Sequence, residues 1–161
     1  MKRQTICGLS LFVTLMFCFS MTPIATAASA EEEVLQLVVD FHKAFNTGDF
    51  ALFSSLVWHS PKVSLFGPPM ALSFLRRGWE AQEAFFKPLL SLPGGTFGTT
   101  FHNPEITMLG DDVAVVTFYQ LWTINPPLSK ESQTGKQRST LVVQKIGGKW
   151  LIVHNHGSVF P

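Results

Sequence analysis

The chain has 161 residues, with 12 lysines and arginines against 11 acidic residues and a formal charge of +1. That length suits one domain, and the balanced charge, without a basic tract, excludes nucleic acid or an anionic membrane surface as the main partner. Both cysteines, Cys7 and Cys18, lie in the first 30 residues, which excludes a disulfide framework, a thiolate nucleophile or a cysteine-held metal in the rest.

Lys2 and Arg3 precede an apolar run from Ile6 to about Met21. Two small-x-small signals follow, Ala25-Thr-Ala27 and Ala28-Ser-Ala30. This is the pattern of a secretory signal peptide, and the run is shorter than the roughly 20 residues a spanning helix needs. We expect residues 1–30 to be removed, with the cut after Ala27 or Ala30, and residues 31–161 to form a periplasmic or secreted domain that leaves the membrane. Loss of Lys2 and Arg3 brings the formal charge to −1.

Glu31 to Asn46 carries Val34, Leu37, Val38, Phe41 and Phe45 at helical spacing, with three glutamates where the helix dipole favours negative charge. Gly48 ends this helix, and Asp49 suits the N-cap of a second, Phe50 to Leu56. Lys62 to Phe66 alternates as a short strand, ended by Gly67-Pro68-Pro69. Ala71 to Arg77 is expected to be a loop. Trp79 to Leu90 is a third helix with Ala81, Ala84, Phe85 and Leu89 as its buried side, and Pro88 should kink or shorten its end. Four strands follow: Phe97–Leu109, Val113–Ile124, Arg138–Ile146 and Trp150–Val159. Gly110-Asp111-Asp112 and Gly147-Gly148 are hairpin turns, so the two aspartates serve the turn and are not a catalytic pair. Helices first and an antiparallel meander last predict an α+β fold.

Regular alternation along the last strand puts Trp150, Ile152, His154, His156 and Ser158 on one face. On this reading that face is the inner wall of a pocket, apolar at one end and basic at the other. Arg138, with Thr140 and Val142 on its face, suits a carboxylate or phosphate. Tyr119 offers a hydroxyl, although a lone strand tyrosine is more often a packing residue. Trp58 is expected beside the pocket, although aromatics at such spacing are usually core. A metal site would need a third ligand; His102 is the one residue in reach of that role, and no metal or cofactor is expected. Leu141, Val143, Leu151 and Val153, with Val116, Phe118 and Trp122, then fall on the opposite face, where a second copy of the chain is the simplest cover.

Phe45-Asn-Thr-Gly-Asp-Phe50, Asn103-Pro-Glu-Ile-Thr-Met-Leu-Gly-Asp-Asp-Val-Ala114, Arg138-Ser-Thr140 and Gly148-Lys-Trp-Leu-Ile-Val-His-Asn-His-Gly-Ser158 occur in that order. In this they resemble SnoaL-like members of the nuclear transport factor 2-like superfamily. The Asn103–Ala114 and Gly148–Ser158 blocks also resemble the association domain of calcium/calmodulin-dependent kinase II. The resemblance implies a cone, with a strongly curved antiparallel sheet wrapped around three helices, a pocket inside and dimers formed through the outer sheet face. It does not imply a reaction, because relatives include isomerases, cyclases, hydrolases, assembly domains and binders. This chain has His59-Ser60 where many relatives carry an acidic pair, and the kinase-type domain lacks an arginine at the place of Arg138.

The leading expectation is therefore a protein that holds a small, mostly apolar molecule with a polar or anionic group, using Arg138, His154, His156, Tyr119 and Trp58. One alternative is a general acid/base enzyme (isomerase, lyase or hydrolase) working through His154 or His156. The other is an oligomerisation domain.

Overall fold

The computed structural model describes residues 28–67, 74–93 and 95–159. Residues 1–27 of the signal peptide expected at 1–30 lie outside them.

Helix α1 (Ala30–Thr47) begins one residue earlier than expected because Ser29 caps it. The Ser29 hydroxyl accepts from the Glu32 amide at 3.2 Å, and the Glu32 carboxylate accepts from the Ser29 amide at 2.7 Å. Two otherwise unpaired N–H groups are thereby satisfied. The helix ends at Gly48, whose φ of 68° is open to glycine at little cost. Helix α2 (Phe50–Leu56) is capped by Asp49, whose Oδ1 accepts from Leu52 N at 2.8 Å.

Helix α3 (Trp79–Leu90) continues through Pro88, and its buried side is Gln82, Phe86 and Leu90. That stripe lies one residue beyond the expected one. Ala81 and Ala84 are exposed or half-buried, as are Phe85 and Leu89, and none is buried like Phe86. Because a glutamine begins the true stripe, a count of apolar spacing passes over it.

Six strands form one sheet in the order β2-β1-β6-β5-β4-β3. They are β1 (Ser64–Gly67), β2 (Phe74–Arg77), β3 (Phe97–Met108), β4 (Val113–Ile124), β5 (Gln133–Ile146) and β6 (Lys149–Val159). The loop expected at Ala71–Arg77 contains β2, a four-residue strand too short to show periodicity, which pairs antiparallel with β1. β1 joins β6 in parallel, after an isolated Val57–Ile152 bridge; every other pairing is antiparallel. β5 starts before Arg138, because its polar opening Gln133–Gln137 pairs with Gln120 to Ile124.

The helices pack on one face of this curved sheet. Val34, Val38, Ala44, Ala114, Val116, Leu141 and Val143 are completely inaccessible, and Phe53, Ile152 and Leu90 nearly so. Each large apolar side chain buried in this way contributes about 1.5–3 kcal/mol of transfer free energy. The helix-covered face is thus Ala114, Val116, Phe118, Gln120 and Ile124 on β4, and Ser139, Leu141 and Val143 on β5. This reverses the two faces expected for these strands. On β4 both alternations are largely apolar, so the pattern there does not say which one meets the helices; the burial does. Trp122, expected on the outer face, follows the alternation of Phe118 and Gln120 and lies across from Gly135.

Two bulges break the alternation. On β3, His102 pairs with Tyr119 and Glu105 with Thr117, so one residue is extra, and Asn103 takes a φ of 51° there. On β6, Val142 pairs with His154 but Val143 pairs with Ile152, which leaves Val153 extra.

Candidate functional site on the outer sheet face

The bulge at Val153 decides where the imidazoles point. Trp150 and Ile152 are buried under the helices, whereas His154, His156 and Ser158 are turned to the other face. The single face expected for all five residues does not exist. Asn155 and Gly157 occupy the inner positions instead, opposite Leu141 and Ser139.

Strand register arranges the outer face in three rungs. The first is His102–Tyr119–Arg138–Ser158, and the second is Glu105–Thr117–Thr140–His156–Phe66. The third is Thr107–Val115–Val142–His154–Ser64, with Arg77 beyond Ser64. Four of the five expected site residues, Tyr119, Arg138, His154 and His156, therefore do come together, but on the outside of the cone. Trp58 does not join them. Its amide donates to Ile152 O at 3.0 Å, and its ring packs against the helix-side core.

His154 Nδ1 and the Ser64 hydroxyl share a hydrogen bond of 2.8 Å. Phe66 stands 6.3 Å from the His154 ring and edge-on to His156 at 6.2 Å. Partial burial, and then the neighbouring His156 charge, lower the His154 pKa from its ordinary value. Its partner is a hydroxyl rather than the carboxylate that would orient a catalytic imidazole. His102 is three strands away from β6, on the order of 14 Å at ordinary strand spacing. It does not complete a ligand set, and among the described residues no three His, Cys, Asp or Glu side chains converge. Among the described residues, too, no helix is long and apolar enough to cross a membrane.

A cleft of about 330 Å³ opens on this face, lined by Asn103, Glu105, Thr117, Tyr119, Arg138 and Thr140 among others. Tyr119 and Leu121 are exposed large side chains on β4, and Phe66 is 45% exposed on β1. Val113, Val115, Val142 and Leu151 are half-buried around them. A second cleft, of about 420 Å³, lies at the start of α3 between His59, Arg77, Trp79 and Glu80. There the His59 ring stacks on Trp79 at 3.9 Å, and its Nε2 meets Ser54 O at 2.9 Å.

Sequence reasoning missed two polar features of the inner wall. His42 is 3% exposed on α1; its Nδ1 pairs with Val38 O at 2.8 Å, and no partner meets Nε2. Burial pushes its pKa down to about 4. Its position four residues after Val38, on the same stripe, was the available signal. Gln120 links Thr99, Gln137 and Ser139 through bonds of 2.7–3.0 Å, and Asn46 holds the Thr99 backbone from α1.

The model of the calcium/calmodulin-dependent protein kinase II association domain matches residues 30–161. The chain belongs to that family. Solved structures agree with the assignment. A calcium/calmodulin-dependent kinase II hub of S. rosetta is 27% identical, with a TM-score of 0.67 over 84% of this chain and all of that one. A Xanthomonas campestris protein described as a kinase II association domain is 25% identical, with a TM-score of 0.67 over 83% of this chain and 90% of its own. A nuclear transport factor 2-like protein of Salmonella enterica, 24% identical, shows the same fold with a TM-score of 0.69, covering 81% and 91%. The association-domain fold is thus the cone that the resemblance implied, with the kinase-type resemblance the one that the family match singles out.

Proposed function

We propose that this association domain is an exported self-association module whose copies pack through the outer faces of their sheets. One observation carries the reading. The outer face of β4, β5, β6 and β1 presents Tyr119, Leu121 and Phe66, with four half-buried aliphatic side chains between them, on the side away from the helices. Exposed apolar surface of this kind marks contact sites. The names of the matched family and of the S. rosetta hub support a second copy of the chain as the contact. Sedimentation velocity of the purified protein tests the reading. We expect a concentration-dependent dimer or larger assembly, weakened by Leu121→Lys; a monomer at every concentration overturns it.

Export is part of the same proposal and is supported by the leader-like composition of residues 1–30. Cell fractionation checks it, with the leaderless protein expected outside the cytoplasm.

A second reading is binding of a small molecule with an anionic or hydrogen-bonding group. The outer cleft favours it, because it brings Arg138, Tyr119 and Thr140 around about 330 Å³. A thermal-shift screen of carboxylates and phosphates, repeated on Arg138→Ala, tests it; a hit of equal size in both proteins places the site elsewhere.

A further inference from the structure

Glu105 is the only carboxylate among the described residues that the strands turn to the outer face. The cations there are Arg77, Lys136, Arg138 and Lys149, beside the imidazoles of His102, His154 and His156. Two such faces therefore do not pack in an arbitrary register. A contact that leaves the carboxylate among its own kind, or cations against cations, is disfavoured.

Building on the self-association reading, we infer that the copies meet about a two-fold axis that runs parallel to the strands between β4 and β5, with Glu105 of each copy paired to His156 of the other. The sheet order places β3 and β4 on one side of that axis and β5 and β6 on the other. A half-turn about it lays β3 over the partner copy's β6, and β4 over its β5. Within the second rung this sets Glu105 against His156, and Thr117 against Thr140. In the third rung Val115 meets Val142, and in the first Tyr119 meets Arg138.

Alternative placements lose this match. An axis along the second rung stacks Glu105 on Glu105 and His156 on His156. An axis over β4 sets Glu105 against Thr140 and leaves the imidazole outside. Two packed sheets are rotated by about 30°, but Glu105 and His156 lie only about 7 Å from the axis, so the rotation displaces them by a few ångströms. The area is also sufficient. Four strands of about twelve residues present roughly 750 Å² at standard spacing, near the 800 Å² or so that each partner gives to an ordinary stable interface.

A charge-swap pair tests this. Both positions are exposed, so substitutions there should leave the fold intact. Glu105→Lys and His156→Glu are purified separately, each checked by thermal melt, then studied alone and as an equimolar mixture by sedimentation. Each variant alone is expected to raise the dissociation constant roughly 30-fold or more. In a heterodimer of the two variants the introduced lysine faces the introduced glutamate, and the native Glu105 faces the native His156. The mixture is therefore expected to return towards wild-type affinity. Glu105→Gln, which removes charge without reversing it, should fall between wild type and Glu105→Lys. Wild-type affinity in either charge-reversed variant, or a mixture no tighter than its parts, overturns the pairing while leaving self-association standing. A monomeric wild-type protein overturns both.

Discussion

Ile152 and His154, two residues apart on β6, face opposite sides of the sheet. The extra residue between them, Val153, reverses the alternation at that point. Beyond it His154, His156 and Ser158 lie on the outer side and Asn155 and Gly157 on the core side, the reverse of regular alternation.

The two sides of that bulge should respond differently to truncation. Ile152 is 2% exposed and packs in the helix-side core. Ile152→Ala is expected to cost about 2–5 kcal/mol in urea unfolding. His156→Ala, at concentrations that keep the chain monomeric, should stay within about 0.5 kcal/mol. Equal costs would show that the two share one environment and that the bulge is wrong.

Gly135 and Trp122 make a second such pair. They are cross-strand partners, and a Cβ at Gly135 would collide with the indole. Gly135→Ala therefore forces Trp122 to move, and an overpacking cost of about 1–3 kcal/mol is expected. Tryptophan emission should shift with it. In a Trp122→Leu background the same alanine should cost much less, and a persistent full cost would place the conflict elsewhere.

His42 gives the fold a pH dependence of known sign. Burial lowers its pKa from 6.5 to about 4. Well above pH 6.5 the ring is neutral in both the folded and unfolded chains. As pH falls the unfolded chain takes up the proton first, so stability is lost progressively from about 6.5 to about 4 and no further below. The full effect is on the order of 3 kcal/mol. Urea titrations across that range should show a slope that is shallower in His42→Leu; parallel curves for the two proteins would contradict the assignment.

The start of α1 makes a prediction about the mature chain. Ser29 and Glu32 form the reciprocal cap. A chain beginning at Ala28, as a cut after Ala27 would leave, keeps it, whereas one beginning at Glu31 loses it. The longer chain should be more stable by about 1 kcal/mol, and Ser29→Ala in that chain should remove most of the difference. Thermal unfolding of 28–161 and 31–161 side by side checks this.

Much of the architecture was legible from residue patterns. Helices α2 and α3 and strand β4 match their expected bounds, because Asp49, Gly78 and the glycine turns punctuate the chain where it turns. The short β2 and the parallel seat of β1 beside β6 were not legible. β2 is too short to show periodicity, and β1, although it alternates, takes its seat from β6 residues about 90 positions away.

For the candidate site, the types of the side chains were legible and their side of the sheet was not. Arg138, Tyr119, His154 and His156 were found because such residues stand out in apolar strands. Residue order alone was enough for the α+β cone and its family, since spacing and turn chemistry are local properties; strand register is what gathers these four residues into one cluster. That the cluster faces outward emerges only from the folded chain. It depends on one unpaired residue at Val153, and on which face of the sheet the helices bury, and both are set by long-range packing.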